Sequence, residues 1–132
     1  MPVIVEHPPA GNTQDLIDLR KIYQDAPPWL LAPYADAQNL IDSALANGTL
    51  IAGRFNDRLL GAALLEQGDH SWRLSHVCVR AITRQRGVAQ RLLDEAQRLA
   101  RAADKPLRLA APLDRLECQA LATRTGLPLD SL

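Results

Sequence analysis

Aromatic side chains are scarce in this chain: Trp29, Trp72, Tyr23, Tyr34 and Phe55 are all that 132 residues contain. The core must therefore be built from Leu, Ala, Val and Ile. Cysteine is as sparse, with Cys78 and Cys118 at no framework spacing, which excludes a disulfide scaffold and reads as two reduced thiols. No run approaches the roughly 18 uninterrupted apolar residues of a membrane span. The segment Met1-Pro2-Val3-Ile4-Val5-Glu6 lacks the basic and long apolar regions of a signal peptide, so a cytoplasmic location is expected. Repeats, low-complexity segments and interdomain linkers are absent too, and residues 1–132 are expected to form one domain.

Net charge is also missing: 15 Lys and Arg balance 15 Asp and Glu. The balance conceals an asymmetry. Residues 1–70 carry four basic and nine acidic side chains, whereas residues 71–105 carry eight basic and three acidic ones. A basic region this local does not make a nucleic-acid footprint, which extends over a whole face or domain. It suits a compact polyanion, or a solvated helix face whose Arg residues pair with Asp94 and Glu95.

Periodicity and breakers predict the order β-α-α-β-β-β-α-β-α. Pro2–Glu6 reads as a strand. Asn12 or Thr13 caps a helix with Leu16, Leu19, Ile22 and Tyr23 on one face, broken by Ala26-Pro27-Pro28-Trp29. Asp36 caps a second helix that stops at Asn47-Gly48. Residues 49–55 and 58–66 read as a hairpin turning at Asn56-Asp57, followed by a strand over 72–79. A helix with Leu92, Leu93, Ala96, Leu99 and Ala100 in register follows, then a strand at 107–110, a helix over 113–124 and a C-terminal stub at 128–132. This order implies a mixed α/β (α+β) domain with a mostly antiparallel sheet flanked by helices.

The stretch Arg84-Gln85-Arg86-Gly87-Val88-Ala89 organises the rest. It lies between the apolar strand ending Val77-Cys78-Val79 and the long helix. A helix start leaves backbone N–H groups unpaired and carries partial positive charge. Gly87 admits a ligand close to the backbone, and Arg84 and Arg86 supply charge-assisted donors. An anion at this turn is one reading; a glycine-containing loop with solvated arginines is the other. The turn is no Walker loop, since no Gly-Lys-Ser/Thr follows, and it lacks the three glycines of a dinucleotide fingerprint.

Arg84-x-x-Gly87-x-Ala89, after that strand and before an amphipathic helix, resembles the acyl-CoA signature of the GNAT acetyltransferase superfamily. The stretches Asp15–Ile22, Ile51–Leu60 and Val79–Val88 are similar, within it, to the aspartate decarboxylase maturation factors of the PanZ/PanM type; this resemblance covers roughly residues 12–100. It implies a single-domain GNAT fold. It also implies acetyl-CoA or CoA held by Val77, Cys78, Val79, Arg84, Arg86, Gly87, Val88, Ala89 and Gln90. The implied function is acetyl-CoA sensing coupled to maturation of the decarboxylase proenzyme in pantothenate biosynthesis, with Arg54 and Asn56 of the hairpin on the partner surface. Residues 33–48 are longer than the family's connection, and the chain beyond Leu107 matches it poorly.

A catalytically active N-acetyltransferase acting on a small amine or protein amino group is the alternative. Many GNAT enzymes protonate the leaving thiolate with a Tyr four residues before the glycine that ends the last helix; counting back from Gly126 gives Ala122, and no Tyr or Ser lies between 111 and 126. For a base, only Glu66 and His76 are strand-borne candidates. His76-x-Cys78 places two metal-ligand types on one strand face, but His7, His70 and Cys118 are scattered, and no metal is expected. Regulator and enzyme both stay open at this point, and a GNAT fold without cofactor is a third possibility.

Overall fold

The computed structural model describes residues 3–83, 87–113 and 115–131. In chain order its elements are β1 (Ile4–Glu6), α1 (Thr13–Gln24), α2 (Pro28–Leu31), α3 (Ala37–Asn47), β2 (Leu50–Phe55), β3 (Arg58–Gln67), β4 (Trp72–Val79), a 3₁₀ turn at Ala81–Thr83, α4 (Val88–Ala102), β5 (Leu107–Ala111), α5 (Leu116–Thr125) and β6 (Leu129–Ser131). All six strands share one sheet and lie in chain order. β1 through β4 pair antiparallel, whereas β4–β5 and β5–β6 are parallel. The expected order holds, with α2 and the three-residue β6 added to it.

Local chemistry accounts for the boundaries. Asn12 Oδ1 accepts the Asp15 N–H at 2.9 Å and Asp36 Oδ1 accepts that of Asn39 at 2.8 Å, so both helix starts gain a side-chain acceptor. Pro27 and Pro28 end the first helical run and reopen it as α2, with Pro28 in the first turn where its missing N–H costs nothing. Gly48, at φ 71°, closes α3. Asn56 and Asp57 take φ values of 48° and 66°, as a two-residue hairpin turn requires.

Because helices cover both faces of the sheet, β2 and β3 read as nearly continuous apolar runs rather than as an alternation. Leu50, Ala52, Leu59, Ala62 and Leu64 meet Leu19, Ile22, Tyr23, Leu40 and Ile41 of α1 and α3. Ile51, Ala63, Leu65, Leu74 and Leu109 meet Val88, Leu92, Leu93 and Ala96 of α4 on the other face.

Two glycines set how closely α4 approaches. Gly53 and Gly61 are direct partners across β2 and β3. A Cβ on Gly61 would fall 2.7 Å from Val88 Cγ1 and 3.2 Å from the Cys78 carbonyl oxygen, and one on Gly53 would fall 2.8 Å from Val3 Cγ1. The first residue of α4 is thus seated in a hole in the sheet that only glycines leave open.

Buried charge clamps α1 to the hairpin. Asp18, 1% exposed, accepts from Arg58 Nη2 at 2.6 Å, from Gln14 Nε2 at 3.0 Å and from the Leu59 N–H at 3.1 Å. Burial pushes its pKa up, but these donors outweigh burial and hold it below the usual carboxylate value. Arg54 places all five N–H donors: on Glu6 Oε1 at 2.9 and 2.7 Å, on Asp15 at 3.0 and 2.8 Å, and on the Asp57 carbonyl at 3.1 Å.

Asp18→Ala should destabilise the domain by about 2–3 kcal/mol in urea titration, because it strands the Leu59 N–H in an apolar setting. Asp18→Asn, which keeps that acceptor, should cost clearly less; equal losses would mean that the N–H is not what Asp18 serves. Gly61→Ala should cost about 1–3 kcal/mol through the Val88 contact, and Val88→Ala in the same chain should return part of it. Strict additivity of the two changes would show that the seat is not tight.

Candidate functional site: a cleft between β4 and β5

Strand β4 carries one residue too many. Leu64 pairs with Ser75 and Ala62 with Cys78, so three steps along β4 match two along β3. The extra residue falls at His76, which takes φ 54°. Leu74 and Val77 consequently face α4, three positions apart, while Cys78 faces α1. The parallel register of β4 with β5 ends at Ser75–Ala110, immediately before the bulge.

Past that point the two strands part, and a cleft of about 410 Å³ passes through the sheet. Its walls are β4 from Leu74 to Val79 and β5 from Leu109 to Ala111. Trp29 and Leu30 border it on the α1 face, and Cys118 and Leu121 on the α4 face. The Arg115 guanidinium lies 4.9 Å from the Trp29 ring centroid and bridges the two borders. At the end of β4 the chain turns to Gly87, whose φ of 82° starts α4. Among the described residues a Cβ there would meet no atom within 4 Å, which leaves that side of the first-turn N–H groups open.

The expected cofactor residues fall into distinct roles. Arg84 and Arg86 lie outside the described residues. Gly87 and Ala89 are at the open helix start, where Val88 contributes backbone only, because its side chain fills the glycine seat. Gln90 Nε2 donates to Asp94 at 2.8 Å. Val77 and Val79 are half-buried on the cleft wall, while the Cys78 thiol points away and donates to the Ile22 carbonyl at 3.3 Å. The open edge, the glycine approach and the apolar cleft fit a slender, mostly uncharged arm ending in a polyanion.

The two candidate bases are not brought together. Glu66 is exposed and lines a separate hollow of about 330 Å³ at the β3–β4 turn. His76 borders the cleft with both ring nitrogens engaged. Its Nε2 lies 2.8 Å from the Ala32 carbonyl, which can only accept, so Nε2 carries the proton and Nδ1 accepts from the Ser75 hydroxyl at 2.8 Å. Tyr23 donates to the His76 carbonyl at 2.9 Å, and Tyr34 packs edge-on at 5.6 Å. Burial holds the imidazole pKa below its ordinary 6.5, against the opposing pull of the Ala32 contact and the Glu66 charge. His76 is a neutral brace. Ala122, where a tyrosine acid was sought, lies on α5 against the core. Among the described residues no group of three or more His, Cys, Asp or Glu could hold a metal ion, and no helix is long and apolar enough to cross a membrane.

Sequence reasoning did not find the bulge, the glycine seat, or the lining by Leu109, Cys118, Leu121 and Leu129. Only the glycines left a trace, as the two glycines on either side of the Asn56-Asp57 turn.

A depressed imidazole pKa carries a defined sign. The unfolded chain takes up this proton near pH 6.5 and the folded chain does not, so stability is complete above that value and falls as pH drops below it. His76→Asn, which tolerates the positive φ, should lower the melting temperature at pH 7.5 and flatten the loss between about pH 6.5 and 5.5. An unchanged acid slope in the variant would remove His76 as its source.

Over residues 2–128 the chain matches the family described as acetyltransferase (GNAT) domain, PanZ. It is 36% identical over 87 residues to the PanD regulatory factor of Escherichia coli (strain K12), a match covering 66% of this chain and 60% of that protein's length. Among solved structures it resembles a PaiA N-acetyltransferase of Thermoplasma acidophilum in complex with coenzyme A (TM-score 0.72, 12% identity, 95% of this chain and 89% of that one). It also resembles a GNAT family acetyltransferase of Elizabethkingia anophelis with acetyl-CoA bound (TM-score 0.67, 17% identity, 93% and 74%). Identities this low bear on the fold alone, and they agree with the sheet and flanking helices described above. The match over nearly the whole length decides the family: this chain belongs to the PanZ-type GNAT acetyltransferase domains.

Proposed function

We propose that the protein binds acetyl-CoA in the cleft between β4 and β5 and, in that state, promotes maturation of the aspartate decarboxylase proenzyme. The observation that carries the cofactor half is the alignment of three features: the β4 edge freed beyond Ser75, the unobstructed Gly87, and the start of α4 anchored by Val88. In this reading the backbone of Val77, Cys78 and Val79 meets the amide-bearing arm of the cofactor. Gly87, Ala89 and Gln90 present N–H groups to its pyrophosphate, with Arg84 and Arg86 adding charge. The bound cofactor supplies a thioester, whose acetyl group is the signal.

The partner half rests on the family and on the 36% identity to a PanD regulatory factor. The hairpin is the proposed contact. Arg54, with its five donors engaged inside the fold, serves as the brace that fixes the turn, and the exposed Asn56-Asp57 tip is what the partner meets.

The residues at the two positions where a base and an acid were expected favour a sensor over an acetyltransferase. His76 is tied at both nitrogens, and Ala122 cannot protonate a thiolate. The test is to mix the protein with the decarboxylase proenzyme of its own organism and follow self-cleavage by mass with acetyl-CoA, with CoA and with neither. Acceleration that needs acetyl-CoA is expected from the natural chain. Gly87→Trp should show none while keeping a cooperative thermal transition, because the added ring occupies the approach to α4. No acceleration, together with turnover of an amine acceptor, would make the protein an acetyltransferase instead.

A further inference from the structure

Helix α5 has ten residues and buries none of them fully. Its first turn lacks a side-chain cap, since Arg115 occupies that position. Leu113 and Leu116 beside it are 48% and 76% exposed. A helix this short is marginal without an apolar face to pack on. Its inward positions, Cys118, Leu121 and Ala122, recur at helical spacing and are only half-covered, because the cleft lies beneath two of them.

The cleft has a direction. One end lies at Val79, the last residue of β4, on the side from which the chain goes on to α4. The other closes where β4 and β5 resume pairing at Leu74–Leu109 and Ser75–Ala110. An arm laid along the freed β4 edge from the α4 end therefore delivers its tip towards Leu74, Leu109, Leu121 and Leu129. His76, the charge-capable group nearest that end of β4, is neutral and committed to Ala32 and Ser75. A methyl-bearing tip gains there by burial, whereas a bare thiol leaves the apolar wall under α5 less filled.

We propose that α5 is the element that reads the acyl group: a short acyl chain at the tip of the bound cofactor completes the packing of Leu121 and holds α5 against the sheet, and the free thiol form does not. The proposal rests on the acetyl-CoA reading above and names how that site is regulated. It makes α5, with its exposed Leu116, the surface whose order differs between the acylated and free forms.

Hydrogen exchange on the full chain tests this, with calorimetry establishing that acetyl-CoA and CoA are each at saturation. Backbone amides of residues 116–125 should exchange about fourfold more slowly with acetyl-CoA than with CoA, while those of α4 are protected alike by both. The preference for acetyl-CoA over CoA should be about fourfold, the worth of one buried methyl, and Leu121→Ala should reduce that ratio towards one. Equal protection of α5 by both ligands, or an acetyl preference that survives Leu121→Ala, overturns the proposal and leaves the cofactor site standing. Binding of neither ligand overturns the cofactor reading itself, and this one with it.

Discussion

One extra residue in β4 is the constraint on which the site depends. Holding His76 at φ 54° costs about 1–3 kcal/mol. The surroundings offset it: Tyr23 takes the carbonyl, Ser75 and Ala32 take the ring, and Tyr34 covers its edge. In exchange the strand changes parity. Val77 and Val79 turn to the α4 face, the Cys78 thiol turns to α1, and the strand bends at the point where its pairing with β5 ends. The same set of contacts ties the α2 connection through Ala32 to the cleft wall.

Much of the architecture was legible because it rests on local rules. Asn12, Asp36 and Gly48 sit at the helix ends where capping chemistry wants them, and Asn56-Asp57 marks the hairpin. The Leu92–Ala100 stripe of α4 faces the core as its spacing requires. What was not legible was non-local. Nothing in Ser75-His76-Val77 announces a bulge, since positive φ in a histidine arises from partners 44 and 53 residues away along the chain. Nothing in the sequence pairs Arg54 with Asp15, 39 residues away, and only the fold sets them 3.0 Å apart. The C-terminal helix was expected to begin at Leu113 but begins at Leu116, because Pro112 and an uncapped start leave the preceding turn outside it.

The uneven charge along the sequence acquires a physical meaning in the structure. Several acidic residues of the first half are consumed inside the fold: Glu6 and Asp15 by Arg54, Asp18 by Arg58, and Asp25 by the Ala81 N–H at 2.9 Å. They organise α1 and the hairpin and contribute little field outside. With those charges paired inside the fold, an anion at the α4 start, as proposed above, would meet the partial positive charge of that helix end.

The sheet runs β1 to β6 in the order of the chain. Each strand from β2 onward is laid on the edge left by its predecessor, without any strand being inserted between two others. The wall formed by β5, α5 and β6 thus comes last along the chain, beside a four-stranded antiparallel base. The cleft is the joint between this parallel wall and the antiparallel base. A ligand lodged there, as proposed above, would act as mortar between two courses of the same sheet.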